Sequence, residues 1–341
     1  MKICTKCVLP ETFPGIKFNS EGVCNFCLDF KGVKNLESEK KEYLAKFEAL
    51  IKELRGKSDY DCTLSYSGGK DSTYTLQLLK EVYKLKVLAV TFDNGFISEQ
   101  AFKNIRTVTE NLGVDNVIFK ADFQVLKKLY NAAIEKPLFS MKALERASSI
   151  CNCCIAFVKY TTLKIALEKE IPIMAWGWSP GQAPIRSSIM RMNPAMFKST
   201  QEMYRKPMLE VIGDEINRYF VTEDEFKKCK NPPFNVNMLA FVDYDENKII
   251  EQIKELGWIS PKDVDPNSTN CLLNAYANKI HIQKHGFHPY AFEIAGIIRS
   301  GSMERNEGIK KIYGDTSDDG MLALIKAKIC TVQKRGLWGK L

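Results

Sequence analysis

Residues 64–76 read LSYSGGKDSTYTL and place two glycines, a lysine and an aspartate, flanked by serines, directly after a short β-branched and aromatic run. Apolar or small side chains then recur with helical spacing at Thr73, Leu76, Leu79 and Val82. The pattern predicts a strand, a tight glycine turn and a helix. In a parallel α/β sheet such a turn faces the crevice at the carboxyl ends of the strands, where ligands bind.

The same alternation of strand and helix patterns continues on the C-terminal side of this turn. Further strands are predicted in 86–95 (KVLAVTFDNG), 116–120 (NVIFK) and 171–179 (IPIMAWGWS), with helical segments between them, and the first strand in 60–67. Short turns between alternating strands and helices are typical of a parallel sheet covered on both faces. The fold class predicted is therefore α/β, with a Rossmann-like parallel sheet.

The turn itself has the chemistry of a phosphate-binding loop. Gly68 and Gly69 let the backbone approach a ligand, and the following helix offers free N–H groups and a partial positive charge. Lys70 adds a cation, the serines on either side add hydroxyl donors, and Asp71 can accept from the loop or reach magnesium. The spacings of the Walker loop, GxxxxGK[ST], and of the dinucleotide motif, GxGxxG, are both absent.

The segment SGGKDS resembles the PP-loop of the ATP pyrophosphatases, the adenine nucleotide α-hydrolase-like superfamily with a HUP-type parallel sheet. The resemblance implies that ATP and Mg²⁺ bind here, and that TFDNG at the end of the second strand lies near the adenosine, with Asp93 as the contact. It implies catalytic roles for Lys70 and Asp71. The residues implied to hold the pyrophosphate of ATP are Ser67, Gly68, Gly69, Lys70, Asp71 and Ser72.

Members of that superfamily transfer AMP to a carbonyl-type oxygen of a second substrate and release pyrophosphate. A nitrogen or sulfur nucleophile then displaces AMP. The loop therefore implies the first half-reaction and leaves the second open.

Four cysteines near the N-terminus have the spacing of a metal site. CTKCVLPETFPGIKFNSEGVCNFC, residues 4–27, contains two CxxC pairs, Cys4 with Cys7 and Cys24 with Cys27. Two such knuckles close a tetrahedral four-thiolate zinc site with no open position, so a structural role is predicted. The alternative is four free core cysteines.

A second cysteine group bears on whether a sulfur or a nitrogen nucleophile displaces AMP. SSICNCCIAF, residues 148–157, places Cys151 and Cys154 just before a predicted helix, and Cys271 stands alone in DPNSTNCLLNAY. This order resembles the iron–sulfur sulfurtransferases that thiolate tRNA bases, in which three thiolates hold a [4Fe–4S] cluster with one open iron. The resemblance implies catalytic roles for these three cysteines. A second zinc site, a persulfide-carrying cysteine and simple burial remain alternatives, and Cys153 is an unassigned fourth thiol.

Another resemblance favours a nitrogen nucleophile in the second half-reaction. The N-terminal cysteine segment, the loop and KHGFHPYAFEIAGIIRSGSMERNEGIKKI (284–312) are together similar to the N-acetyl sugar amidotransferases. These use ammonia from a partner glutaminase, in surface-polysaccharide or nonulosonate biosynthesis. The segment WGWSPGQAPIRSSIMRM (176–192) departs from their pattern, and no glutaminase domain is evident in the chain.

The segment after the fourth strand, residues 177–191, is predicted to line the same crevice as the loop. Gly177 is a candidate for contact with the nucleotide, and Gln182, Arg186 and Arg191 are candidates for holding an anionic or polar substrate. Histidines at 281, 285 and 288 share one face of a helix and are interpreted as surface or capping residues, with a ligand or acid–base role as the alternative.

Composition limits the remaining possibilities. The 341 residues are 45% hydrophobic and carry a net charge of +8 without a basic block, which favours anionic ligands but does not establish nucleic-acid binding. No apolar run long enough for a bilayer and no signal core are evident, and eleven cysteines without a disulfide pattern suit a reducing compartment. A cytoplasmic protein with no membrane partner is predicted.

Four regions are predicted: a zinc-binding knuckle (1–35), a helical connector (36–56), the ATP-binding α/β domain (57–190) and a mostly helical substrate region (191–341). The partners predicted are a small-molecule or tRNA acceptor and either a sulfur donor or a glutaminase, and a homodimer is left open. A non-catalytic zinc-ribbon module that binds nucleic acid ranks last, because it leaves the SGGKDS loop without a purpose.

Overall fold

The computed structural model describes residues 1–182, 184–265, 267–314 and 319–330. The strands are β1 (Cys62–Ser65), β2 (Val87–Asp93), β3 (Asp115–Lys120), β4 (Ile173–Trp176), β5 (Ile189–Arg191) and β6 (Phe234–Val236). The helices are α1 (Asn25–Leu28), α2 (Val33–Leu54), α3 (Lys70–Gln77), α4 (Glu99–Leu112), α5 (Phe123–Glu135), α6 (Met141–Leu144), α7 (Ser149–Glu168), α8 (Pro194–Ile212), α9 (Glu223–Lys228), α10 (Glu246–Lys254), α11 (Leu273–His285), α12 (Ala291–Arg299), α13 (Arg305–Tyr313) and α14 (Asp319–Cys330).

The strands form one sheet in the order β3-β2-β1-β4-β6-β5. Every pairing is parallel except that of β5 with β6. The α/β class and the four predicted strands are confirmed. β1 is central, and the order of the strands on its two sides reverses there, which is where a ligand crevice is expected in an open α/β sheet.

The sheet extends beyond the predicted boundary at residue 190. β6 pairs with β4, although it lies in the segment predicted to be mostly helical. Its three residues, Phe234–Val236, are too few to give a readable period in the sequence. The other elements described beyond residue 191 are helices, and the domain boundaries themselves remain a prediction.

Helices cover both faces of the sheet and bury two apolar clusters. One cluster joins Leu64 of β1 and Phe47 of α2 to Ile294 of α12. The other joins Leu126 of α5 and Phe157 of α7 to Met174 of β4. The two covered faces explain why β1, β2 and β4 are almost continuously buried.

The N-terminal knuckle packs against the C-terminal helices. Phe13 contacts the rings of Phe287 and Phe292, with centroids 5.1 and 5.7 Å apart. Arg305 donates to the carbonyl oxygens of Cys4 and Cys7. The knuckle and the helices α12 and α13 are therefore parts of one core.

Among the described residues, α7 has the length and apolar composition of a membrane span. It lies inside the fold, against β1, α5, α8 and α11, and just over half of its apolar window is buried. This is the pattern of a helix at the centre of an α/β core, so it gives only weak evidence for a membrane span.

Candidate active site

The glycine loop lies between the end of β1 and the start of α3, as predicted. Gly68 has a φ of +74°, and a Cβ at this position would come 2.6 Å from the carbonyl oxygen of Ala101 in α4. The Gly68 carbonyl accepts a 2.9 Å hydrogen bond from the indole of Trp258. Only glycine fits this close approach, and the loop is held in shape by its neighbours.

Two serines close the loop on itself. The hydroxyl oxygens of Ser67 and Ser72 are 3.1 Å apart, and Ser72 donates to the Gly69 carbonyl at 3.1 Å. The backbone N–H of Gly69 donates to Ser67 Oγ at 3.4 Å. Both serines line a cavity at the carboxyl end of β1, so their hydroxyls and the first turn of α3 can meet phosphate oxygens there.

Lys70 and Asp71 face a different direction. Lys70 Nζ lies 2.9 Å from Asp71, 2.8 Å from the hydroxyl of Tyr244 and 3.8 Å from Glu246. Burial opposes the charge, but these neighbours outweigh it and raise the pKa of Lys70 well above its ordinary value. Lys70 therefore keeps its positive charge. It lies in a buried network beside the cavity and is not one of the residues that line it.

The cavity has a volume of about 310 Å³ and joins the loop to β4, α7 and the start of α11. Arg146 and Lys159 are the charged residues in its described lining, which contains no carboxylate. Lys159 lies over the ring of Trp178, 5.2 Å from its centroid. The cavity is therefore suited to an anionic ligand.

Cys151, Cys154 and Cys271 all line this cavity. Ser148 caps α7 by accepting from the backbone N–H of Cys151 at 3.1 Å. Cys151 and Cys154 consequently lie in the first turns of α7, one turn apart on one face, and the expectation that they precede the helix was wrong. Cys271 comes from a separate segment, just before α11, which forms a backbone bridge with Ile97.

Each of these thiols has a hydrogen-bond donor beside it. The Asn94 amide lies 3.7 Å from Cys154 Sγ and 3.4 Å from Cys271 Sγ, so these two sulfurs are no farther apart than the sum of the two distances. The Tyr130 hydroxyl lies 3.2 Å from Cys154 Sγ, and the Asn274 amide lies 3.7 Å from Cys151 Sγ.

Burial raises the pKa of Cys151 and of Cys154 to about 12, and it also raises that of Cys271. Cys153 is fully buried, donates toward the Ser149 carbonyl at 3.5 Å and is absent from the cavity lining. The three central thiols that were predicted to act together, Cys151, Cys154 and Cys271, therefore line one cavity, and Cys153 does not.

The other predicted site residues divide into two groups. Gly177 and Gln182 line the cavity. Asp93 lies outside the lining, accepts from the Gly95 N–H at 2.8 Å and pairs with Lys120 at 3.2 Å. Arg186 pairs with Glu39 at 3.1 Å, and the exposed Arg191 reaches Asn231 at 3.4 Å. Neither arginine is brought to the cavity.

The histidines are also away from the cavity. His281 is buried in α11 against Phe287, with ring centroids 4.8 Å apart. Burial lowers the pKa of His281 to about 3 and that of His288 to about 4. Both are packed as neutral rings and not at the surface. His288 Nδ1 accepts from the backbone N–H of Tyr290 at 3.2 Å, at the start of α12, in agreement with the capping role given as the other half of the prediction.

Sequence reasoning missed several lining residues. Asn94 and Asn274 lie within segments that were singled out, TFDNG and DPNSTNCLLNAY, but nothing in a linear pattern distinguishes an amide that reaches a thiol. Arg146 and Lys159 fall in no motif.

The N-terminal cysteines meet the geometric requirement for a single metal ion. The Sγ atoms of Cys4, Cys7, Cys24 and Cys27 all lie within 4.8 Å of one another, with separations of 3.9 Å for Cys4–Cys27 and 3.7 Å for Cys7–Cys24. Tetrahedral Zn–S bonds of about 2.3 Å require roughly 3.8 Å between sulfurs. The four thiols fit one tetrahedral ion with no open position, and zinc as that ion remains a prediction.

We expect Cys24→Ser to remove this ion and to detach the knuckle from α12 and α13, because three remaining ligands bind a structural ion weakly. One equivalent of zinc should be lost by elemental analysis, and limited proteolysis should cut within the first 35 residues. The same substitution at Cys229, a part-buried thiol outside the group, serves as the control and should leave both unchanged. Retention of zinc in Cys24→Ser would contradict the assignment.

Glu293 of α12 is hydrogen-bonded to the segment that follows β4, which forms part of the cavity wall. Its carboxylate accepts hydrogen bonds from the Ser179 hydroxyl and from the Gln182 amide, the latter at 3.0 Å. Burial is the main cause that raises the pKa of Glu293, to about 7 from an ordinary 4.5. The hydrogen bonds act in the opposite direction without cancelling the effect of burial.

A pH dependence of stability follows. Because the folded state holds this proton more tightly than the unfolded state, the free energy of unfolding should fall as the pH rises from about 4.5 to 7, by at most about 3 kcal/mol. Urea unfolding across this range should show a flatter profile for Glu293→Gln, which cannot ionise. A matched change at the exposed Glu251 should leave the slope intact, and equal slopes in all three proteins would contradict the argument.

Comparisons with known proteins give limited help. No protein-family model matches the chain. The uncharacterized protein MJ1599 of Methanocaldococcus jannaschii is 25% identical over 312 residues, which cover 91% of this chain and 92% of that protein.

Three solved structures are similar at low identity. A U34-tRNA thiolase, NcsA, from Methanococcus maripaludis with its [4Fe-4S] cluster is 16% identical, covers 100% of this chain and 99% of its own, and has a TM-score of 0.36. An NH3-dependent NAD synthetase from Campylobacter jejuni is 10% identical, with 86% and 93% coverage and a TM-score of 0.36. An NMN synthetase from Francisella tularensis is 12% identical, with 85% and 98% coverage and a TM-score of 0.37.

TM-scores this low give these likenesses no weight in assigning a function. What agrees with the PP-loop ATP pyrophosphatase superfamily is internal to the chain: the SGGKDS loop, its place after the central strand and the parallel order of the sheet.

Proposed function

We propose that this protein uses ATP to adenylate a carbonyl- or amide-type oxygen of an acceptor and replaces that oxygen with sulfur. The observation that carries the proposal is that the loop hydroxyls of Ser67 and Ser72 and the thiols of Cys151, Cys154 and Cys271 line one cavity. An activated oxygen and a sulfur source need to meet in one space, and this cavity provides it.

The first half-reaction uses the loop. The acceptor oxygen attacks the α-phosphorus of ATP, the bond to the bridging oxygen of the β-phosphate breaks, and pyrophosphate leaves with that electron pair. The hydroxyls of Ser67 and Ser72, with the N-terminus of α3, hold the departing phosphates. Arg146 and Lys159 add positive charge to the same cavity, and Mg²⁺ would neutralise the remaining phosphate charge when bound.

In the second half-reaction a hydrosulfide attacks the adenylated carbon. The carbon–oxygen bond to AMP breaks, AMP leaves with the former acceptor oxygen, and the hydrosulfide proton passes to solvent, leaving a thiocarbonyl. With inorganic sulfide as donor, no oxidant or reductant is consumed. With a persulfide donor, a thiol reductant must supply two electrons.

The chemistry of the three thiols suits a [4Fe–4S] cluster. Two come from α7 and one from the segment before α11, each has an N–H or O–H donor beside it, and no fourth cysteine, histidine or carboxylate is among the described lining residues. The three thiols would hold such a cluster, and the cluster would supply an iron site for the incoming hydrosulfide. Asn94, Asn274 and Tyr130 orient the thiols by their hydrogen bonds.

The acceptor class and the sulfur-donating partner are part of the proposal, as is a cytoplasmic location. A tRNA base and a small molecule are the two acceptor classes that the chemistry allows. Nitrogen transfer would need the same loop but gives the three-cysteine arrangement no role.

The test supplies both nucleophiles in parallel. Anaerobic protein is incubated with ATP, Mg²⁺ and ³⁵S-sulfide, or with ¹⁵N-ammonia, using bulk tRNA and a filtered small-molecule cell extract as separate acceptor pools. We expect ATP-dependent ³⁵S incorporation into one pool, with AMP and pyrophosphate formed in equal amounts. Incorporation of ¹⁵N without ³⁵S would overturn the sulfur assignment and favour the amidotransferase class.

A further inference from the structure

A second cavity, of about 220 Å³, lies between the N-terminal knuckle, α2 and α12. Its polar and aromatic walls include Phe30, Tyr244 and Phe292. It shares Arg146 with the cavity of the candidate active site, and Pro180 and Gly181 on its wall are followed directly by Gln182 on the other. The two cavities are therefore neighbours that meet at one guanidinium group.

Two arginines of this second cavity both lie over one aromatic ring, that of Phe292. The guanidinium carbons of Arg146 and Arg299 lie 5.1 and 5.9 Å from the centroid of Phe292. Neither arginine forms a salt bridge with any part of the chain that the structure describes. Arg299 Nη1 is buried without a hydrogen-bond partner, an arrangement that costs free energy unless something compensates it.

The nearby acidic groups have other partners. Glu37 and Asp243 both pair with Lys40, the third cation of the wall, at 3.1 and 3.7 Å. Arg146 donates to the Gln182 carbonyl, a neutral acceptor. Arg299 also interacts electrostatically with Cys27 of the knuckle, and Arg146 with Glu145, whose own salt bridge is to Lys142 at 2.7 Å. Neither guanidinium therefore forms a salt bridge with a described carboxylate.

We propose that this second cavity binds a phosphate group carried by a small acceptor substrate. A guanidinium presents N–H donors in a planar fork that matches phosphate, and the contact of both guanidinium groups with the Phe292 ring restrains their positions. The apolar remainder of the wall suits the organic part of such a ligand. Because Arg146 reaches both cavities, an acceptor held here by its phosphate extends toward the loop serines and the three thiols. This inference rests on the proposed function for the identity of the ligand as acceptor.

Calorimetry with inorganic phosphate tests the site separately from turnover. The full-length protein is first saturated with α,β-methylene-ATP, which occupies the loop, and phosphate is then titrated. We expect one further phosphate site, weakened about tenfold or more in Arg299→Gln and in Arg146→Gln and only partly restored in Arg299→Lys, which keeps the charge but lacks the fork. Ribose 5-phosphate should compete for it.

The matched control is Arg218→Gln, which removes the same charge from an exposed arginine paired with Glu215; it should bind phosphate as the unaltered protein does. Zinc content in each variant reports whether the knuckle is intact. No phosphate binding beyond the analogue, equal binding of acetate, or competition by bulk tRNA but not by ribose 5-phosphate would each overturn the proposal. Failure of the analogue to bind would instead count against the proposed function.

Discussion

Cys271→Ser is expected to abolish ³⁵S incorporation, by about a thousandfold or to the limit of detection, while ATP still binds. Cys271 is the one of the three cavity thiols that does not come from α7, and its own segment, DPNSTNCLLNAY, contains no second cysteine that could substitute for it. A serine hydroxyl ligates iron poorly and carries no transferable sulfur. The loop serines are untouched by the change, so affinity for α,β-methylene-ATP should stay within about twofold.

Cys153→Ser is the matched control, since it removes a neighbouring thiol that is buried away from the cavity. It should keep most of the sulfur-transfer activity, with only a modest loss of stability. If Cys271→Ser and Cys153→Ser behaved alike, the cavity thiols would have no special role and the sulfur mechanism would fail.

Gly177→Ala is expected to weaken ATP binding at least tenfold and to lower the free energy of unfolding by about 1–3 kcal/mol. A Cβ on residue 177 would lie 2.5 Å from the Cα of Ser72, a backbone atom at the start of α3. The chain can relieve this overlap only by moving β4 or the helix that presents the loop. Equilibrium binding of α,β-methylene-ATP and urea denaturation measure the two effects.

The control for this change is Gly113→Ala, at the C-terminal end of α4. Its φ of +59° strains any side chain, but nothing lies within 4 Å of the added Cβ. It should lose stability without losing ATP affinity. Normal nucleotide binding in Gly177→Ala would show that the loop does not depend on this contact.

The fold was largely predictable because its signals are local. The strand, glycine turn and helix around residues 64–76 are each indicated by residues close together in the sequence. The spacing of the N-terminal CxxC pairs likewise indicates a four-thiolate site by itself. β6 could not be predicted because three residues show no period. α7 begins before the cysteine pair because Ser148 caps the helix there.

Residues of the site were predictable only where a sequence motif includes them. The grouping of the three thiols was implied by the resemblance to iron–sulfur sulfurtransferases, whereas Arg146 and Asn274 reach the cavity through tertiary packing. The direction of Lys70 was equally beyond the sequence, since its partners Tyr244 and Glu246 lie more than 170 positions away. Arginines 186 and 191 were candidates by proximity in the chain, but the loop that carries them turns toward Glu39 and Asn231.

Metal analysis of protein purified without oxygen tests the central claim most directly. We predict one zinc and about four iron atoms per chain, with a brown colour and broad visible absorption. The iron should be lost in Cys271→Ser and retained in Cys153→Ser, while the zinc stays in both. A colourless protein with one zinc and no iron, even after anaerobic incubation with iron and sulfide, would contradict the claim that the three cavity thiols hold a sulfur-transferring cluster.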